Sequence, residues 1–283
     1  MAQRFEDFPP APVERLPWLD RPDALPAIER KCAAGEIRAE EAAWLRRWVH
    51  DGYAVFEGVL ESSHVDAINA DVDAVHAANR HLPLSELKKK FENVYVHSAA
   101  VRAALTLPAM LERLDRILGT RALPHQTLNL PVSSQQSAHS DQILMTTHPL
   151  GYTVAVWYAL EDITPDSGPL VIYPGSHRLA HLSAREVGIP RGVSEDECAR
   201  IYDERYYDLV GQRIRELALE PVPFLPRRGD ALVWHSNLLH GARPISRAGA
   251  TRKSLIAHYF GADAEHYSDL FQRPCVSPAV LRT

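Results

Sequence analysis

Cysteine is scarce in this chain of 283 residues, and the scarcity excludes two chemistries. Cys32, Cys198 and Cys275 lie far apart and form no CxxC pair. A disulfide framework and a thiolate zinc site are therefore not expected, and a reducing compartment is. No run of about eighteen apolar residues occurs, so no segment is a candidate for a helix spanning a bilayer. An excess of positive charge is also lacking. The formal net charge of −5 gives no electrostatic footprint for nucleic acid or an anionic membrane. The opening stretch MAQRFEDFPPAPVERLP has early acids and no apolar core, so no secretory signal is expected there. Repeats and low-complexity tracts are missing as well. What is present is 46% hydrophobic residues, enough for a sizeable core in what is expected to be a soluble cytoplasmic protein.

The pattern along the chain divides it into three parts. Residues 1–39 read as a proline-rich N-terminal arm, with six prolines in the first 26 positions. Residues 40–262 read as a single domain, and 263–283 as a C-terminal tail. Within the domain, Trp44, Leu45, Trp48 and Val49 recur at helical spacing and Gly52 follows them. YAVFEGVL reads as a short strand. Ser62 or Ser63 caps a helix carrying Val65, Ile68, Val72 and Val75, and another helix begins near Pro108 and stops before Gly119. After residue 120 the texture changes to short strand-like runs: TLNLPV, QILMTT, YTVAVWYAL, GPLVIYPG, DALVWHSNLL and RKSLIAHYF. A polar insertion over 178–224, with a helix capped at Ser194 and carrying Ile201, Tyr202, Tyr206, Leu209 and Val210, reads as a lid. Helices first and strands second is an α+β layout.

Two His-x-Asp triplets raise the question of a metal. His64 and Asp66 fall inside the capped helix, where residues two apart point in nearly opposite directions; they cannot share an ion. His139 and Asp141 precede a strand-like run. In extended chain the side-chain period is two, so both project to one face and can meet one cation. A third ligand would complete the two-histidine, one-carboxylate arrangement of non-haem iron oxygenases. His177, His235, His240 and His258 are the candidates. Arg252 opens the run after His240 and offers a planar fork for a carboxylate.

The ordered set His139-x-Asp141, Trp157 in VWYALEDITPDSGPLVIYPGSH, and GDALVWHSNLLHG followed by TRKSL resembles the phytanoyl-CoA dioxygenase family over about residues 40–262. The resemblance implies a double-stranded β-helix (jelly-roll or cupin-like) core, with N-terminal helices packed on one sheet. It implies Fe(II) held by His139, Asp141 and His240, with 2-oxoglutarate as cosubstrate and O2 as oxidant. Arg252 matches the arginine that takes the cosubstrate's distal carboxylate, and Trp157 a tryptophan lining its pocket. The chain departs from the family at Ala242, where a serine or threonine often assists the arginine. Halogenating relatives carry a small residue in place of the carboxylate, so Asp141 implies hydroxylation of a small-molecule substrate, with release of succinate and CO2.

Further expectations concern neighbouring residues. Asn129 is expected to contact the cosubstrate, and His235 and His258 to lie near the site. His177 is expected to be structural, and Arg243 and Arg247 to fall in a turn. The tyrosines of the insertion read as packing residues more readily than as substrate contacts. No basic patch in the insertion speaks for the phosphates of coenzyme A, which favours a small natural-product-like substrate. A non-catalytic β-barrel with a vestigial metal site, and a cupin-like isomerase or hydrolase using another ion, are the competing readings.

Overall fold

An uninterrupted apolar run needs apolar surroundings on both faces, and strand β5 (Thr153–Ala159) is buried at every one of its seven positions. The structure, a computed structural model, describes residues 4–78 and 90–275. In it β5 is central to a six-stranded antiparallel sheet. The order is β1 (Tyr53–Phe56), β8 (Ala231–His235), β5, β10 (Ser254–Gly261), β3 (Ala122–Leu130) and β2 (Phe91–Glu92). Side chains alternate between two environments. Val154, Val156 and Tyr158 of β5, with Leu255, Ala257 and Tyr259 of β10, enter the core shared with the helices. Ala155, Trp157 and Ala159, with Leu232 and Trp234 of β8, face the interior of the barrel.

The helices cover the outer face of this sheet. α1 (Ala24–Ala33), α2 (Ala39–Asp51), α3 (Ser62–Ala78), α4 (Ala99–Leu105) and α5 (Pro108–Leu118) supply Ile28, Leu45, Trp48, Val65, Ile68, Val101, Met110 and Leu114 to the same core. The end of α4 is tied to the sheet by two buried phenols. Tyr158 donates to the carbonyl of Ala104 at 3.3 Å, and Tyr259 to that of Leu105 at 2.9 Å, satisfying helix-end carbonyls that lack intrahelical partners.

Facing the large sheet across the interior are two three-stranded pieces. One joins β6 (Leu170–Ile172) to β7 (Val222–Pro223) and β9 (His240–Ala242); the other joins β11 (Glu265–Ser268) to β4 (Thr146–His148) and β12 (Arg273–Pro274). Leu170 and Ile172 close on Trp157 and Trp234. The result is α+β, a cupin-like double-stranded β-helix with helices on one sheet. No described helix is long and apolar enough to cross a membrane.

The structure corrects three parts of the sequence reading. The proline-rich arm contains α1, because Pro26 sits in the first turn of that helix, where a missing N–H costs nothing. QILMTT is not one strand: Asp141–Ile143 form a 3-10 turn, closed by Leu144 N–H on the carbonyl of Asp141, before β4 begins. The tail supplies β11 and β12, and its residues 276–283 lie outside the described part. The insertion is packed on the rest of the domain. α6 (Ala184–Val187) and α7 (Glu195–Glu216) build a second core from Val187, Cys198, Ile201, Tyr202, Tyr206 and Val210 against Ile143, Leu239 and Leu270.

Gly52, at the C-cap of α2, has φ 79°. A Cβ there would lie 2.4 Å from Nδ1 of His177. Gly52→Ala is expected to lower unfolding free energy by about 1–3 kcal/mol, read as a shifted urea midpoint. An unchanged midpoint would show that the turn relaxes freely.

Candidate metal centre

The centre begins with a backbone pair. His139 N–H donates to the carbonyl of His240 at 2.9 Å, and His240 N–H donates back to that of His139 at 2.9 Å. Residues exchanging both hydrogen bonds in an antiparallel pair send their side chains to one face, and the two imidazole centroids lie 4.4 Å apart. Gly241 allows the approach: a Cβ there would sit 3.0 Å from the carbonyl oxygen of Gln136 and 3.1 Å from the amide of Ala138. Ser140 is extended, with φ −114° and ψ 148°, so Asp141 returns to the face of His139, as the period-two reading expected.

The donor set fits one cation. Asp141 Oδ1 lies 3.9 Å from His139 Nε2 and 3.7 Å from His240 Nε2, and all three ligand atoms lie within 4.8 Å of one another. Bonds of about 2.0–2.2 Å to a common ion span such separations with slight contraction. The tautomers suit a metal. His139 Nδ1 bonds the carbonyl of Ser137 at 2.9 Å and His240 Nδ1 that of Leu238 at 3.0 Å. A carbonyl only accepts, so each Nδ1 carries the proton and each Nε2 turns a lone pair to the cavity. Burial, helped by His240, lowers His139 to about 4, which keeps it neutral near pH 7. Burial alone would raise the Asp141 carboxyl, but His240, His258 and His139, when protonated, outweigh it and lower it, so the group is ionised near pH 7.

Deeper in the same cavity, Arg252 is 1% exposed, and its Nε and Nη1 have no partner. Burial lowers it to about 10, so it is still a cation near pH 7, and an unpaired buried charge is strongly unfavourable. The guanidinium carbon is 5.7 Å from the ring centre of Trp157, whose Nε1 is also buried without a partner. Ser254, which pairs with Ala159 on the interior face, adds a third unpartnered buried group, its hydroxyl. Arg252 and Trp157, both lining the cavity, form a cationic, hydrogen-bonding end suited to a carboxylate. The cavity as a whole has a volume of about 1240 Å³.

Other sequence candidates fall elsewhere. Asn129 does not face the cavity. Leu128 and Leu130 line it, so the period of two turns Asn129 to the opposite face, in register with Leu255 of the helix-side core. His64 Nε2 meets the carbonyl of Ala100 while Asp66 pairs with Arg228, confirming that these two diverge. His235 turns to Asp20, at 3.2 Å, and its ring lies 5.6 Å from that of His177; both histidines are away from the cavity. Arg247 pairs with Asp166 at the surface and Arg243 is exposed. His258 does line the cavity, with Nε2 3.8 Å from Asp141 Oδ2. Two interior residues escaped the sequence reading: Gln126, whose Nε2 is 3.3 Å from His258 Nδ1, and Trp234, whose Nε1 donates to Asp141 Oδ2 at 2.9 Å. Strand parity carried both signals. A third, Tyr206 of the insertion, accepts from Ser140 N–H at 3.0 Å and so holds the middle of the triplet.

Comparison with known proteins agrees with this geometry. The sequence model of the family described as Phytanoyl-CoA dioxygenase (PhyH) matches residues 48–254. Ectoine dioxygenase of Nocardia farcinica is 26% identical over 271 residues, covering 84% of this chain and 81% of that protein. Human peroxisomal phytanoyl-CoA dioxygenase is 27% identical over 172 residues; the match covers 58% of this chain and 47% of that protein, so the chain spans about half the length of this relative. Among solved structures, the non-heme alpha ketoglutarate dependent carbocyclase SnoK from nogalamycin biosynthesis superposes with a TM-score of 0.63 at 18% identity, over 87% of this chain and 94% of that one. EctD from S. alaskensis with bound Fe gives 0.59 at 20% identity, over 87% of each. These two share the fold.

Two outcomes follow from the site's hydrogen bonds and protons. Tyr206→Phe leaves the Ser140 amide buried without an acceptor, and is expected to cost about 1–3 kcal/mol and to weaken divalent-metal binding; calorimetric titration of both proteins checks it. Burial lowers His125 and His139 to about 4 and His177 to about 3, from 6.5. As pH falls the unfolded chain takes up protons first, so stability present above 6.5 is lost as pH drops toward 4. The metal-free protein should unfold at lower urea at about pH 4.5 than at about pH 7.5, and a flat profile would contradict neutral buried imidazoles.

Proposed function

We propose, from the premise that this chain belongs to the phytanoyl-CoA dioxygenase family and is a 2-oxoglutarate-dependent non-haem iron dioxygenase, that it hydroxylates a C–H bond of a small molecule. The observation that carries the reading is the pairing, in one cavity, of a His-Asp-His donor set with a buried, unpaired arginine. A binding module has no use for that cation, which is costly to bury unless an anion arrives. Iron and 2-oxoglutarate, when bound, supply the O2-dependent oxidation, with release of succinate and CO2.

The chain's own residues hold, orient and exclude. His139, Asp141 and His240 would hold the metal, three protein ligands of the kind that leave positions for cosubstrate and O2. Arg252 takes the distal carboxylate of 2-oxoglutarate, against the wall formed by Trp157. Ser254 offers the hydroxyl that Ala242 does not, from the next strand. Leu128, Leu130, Leu170 and Ile256 keep this end dry, which strengthens each electrostatic contact in it. On the other side of the donor set, His258 and Gln126 form a polar pair able to orient a substrate, beside Met145 and Phe271.

A small-molecule substrate is supported by the cavity's size. Ligand pockets run to roughly 300–1,000 Å³, and about 1240 Å³ leaves room for a natural-product-like molecule beside the cosubstrate. The names of the relatives, for ectoine and for nogalamycin biosynthesis, fit that class. Asp141 occupies the position a halide would need, which favours hydroxylation.

Mixing the Fe(II)-loaded protein with metabolite extracts should give O2 uptake coupled to succinate release and a product heavier by one oxygen atom. Oxygen uptake without succinate would remove 2-oxoglutarate from the account. Arg252→Ala is expected to raise the 2-oxoglutarate KM by at least about tenfold, or ~1.4 kcal/mol, and Ser254→Ala by several-fold, both read by succinate formation. An unchanged KM in Arg252→Ala would assign the carboxylate to another residue.

A further inference from the structure

Resting on the iron reading above, we infer that Trp234 is a positioning residue that fixes Asp141 as a ligand through one oxygen only. The two carboxylate oxygens have different surroundings. Oδ1 faces the ligand nitrogens, at 3.9 Å from His139 and 3.7 Å from His240. Oδ2 accepts the indole N–H of Trp234 at 2.9 Å, in a fully buried contact. His258 Nε2, at 3.8 Å from Oδ2, is beyond hydrogen-bond length. Trp234 is therefore the group that decides which oxygen is left for a metal.

The donor is both suitable and rigid. An indole has an N–H and no acceptor, so it binds the carboxylate without competing for the cation. Trp234 is 1% exposed and sits in β8 between β1 and β5, opposite Tyr53 and Ala155. Its ring packs on that of His240, with centroids 4.7 Å apart, so one side chain braces two of the three ligands. Two-oxygen ligation would have to break this buried bond and would occupy a coordination position that the cosubstrate or O2 needs. The other interior indole, Trp157, lines the pocket and keeps its N–H unpartnered. The two tryptophans divide the work: one sets the ligand, the other lines the site.

The test compares anaerobic Fe(II) affinity of the native protein with three variants. Trp234→Phe removes the donor. Site-specific replacement of Trp234 by 3-benzothienylalanine removes the N–H and keeps the bicyclic shape. Trp48→Phe truncates an equally buried tryptophan in the helix layer. Both changes at position 234 should weaken Fe(II) by about 10–100-fold, with Trp48→Phe unchanged. With Mn(II) in place of iron, water-proton relaxation should report about one fewer exchangeable water in both position-234 variants, as the freed carboxylate takes up a second position. If the benzothienyl protein binds like the native one while Trp234→Phe does not, packing rather than the N–H matters and the inference fails. Native-like affinity and water count in both position-234 variants overturn it equally. A native protein that binds neither Fe(II) nor Mn(II) removes the metal reading itself, and this inference with it.

Discussion

Everything at the centre depends on the two hydrogen bonds exchanged by the backbones of His139 and His240. The residues come from segments far apart in the chain, so the loop closed by that pair is long and its entropy has to be met by contacts other than the metal. The contacts are there: β9 pairs with β6, Ala242 N–H reaches the carbonyl of Gln136, and Gln142 N–H reaches that of Ser236. The ligands are consequently placed by the barrel. Fixing both Nδ1 protons on backbone carbonyls extends the same logic from position to chemistry, since it presents lone pairs where a cation would sit. An ion entering such a site spends little of its binding free energy on ordering the chain.

The opposite end of the cavity shows what that order costs. A buried arginine with unpartnered nitrogens, and an indole and a serine hydroxyl without acceptors or donors, are all unfavourable in an apolar interior. They are tolerated because they belong to a sheet whose outer face is packed against five helices, with β5 and most of β10 buried on both sides. Stability is made on the helix side and given up on the barrel side. Anions that pair with Arg252 should therefore bind tightly relative to their size, because they relieve an existing penalty as well as forming new bonds.

Much of this could be read in the sequence wherever one period applied. Extended chain at Ser140 made His139 and Asp141 a pair, and helical spacing separated His64 from Asp66. The same rule, applied consistently, would have rejected Asn129, since Leu128 and Leu130 are on the face that lines the cavity. Choosing His240 over His177, His235 and His258 needed the family resemblance; periodicity cannot say which strand lies opposite residue 139. Other misses have local causes. Pro26 looked like a breaker although first-turn proline is harmless, and β11 is too short and too polar to stand out as a strand. Strand parity turns Trp234 inward but does not name its partner, and Tyr206 reaches Ser140 across 66 positions through hydrogen bonds that leave no pattern in a linear string.

The parts that resisted reading are joined to one another, and the last of them, with Ser268, Phe271 and Arg273, lines the cavity. Asp269, fully buried beyond β11, accepts the amide of Phe5 at 2.7 Å and that of Ala184 at 2.6 Å, and lies 3.5 Å from His181. One carboxylate thus ties the N-terminal arm, the start of the insertion and the last strands together. Tyr206 then links the insertion to the metal triplet. The large sheet follows strict alternation, whereas the segments joined by Asp269 are irregular and pinned at a few polar points. Such a division lets these segments change shape while the chemistry underneath stays fixed, which is how one fold comes to serve many substrates. α7 is likewise tied to the donor set, since Tyr206 holds Ser140 between His139 and Asp141.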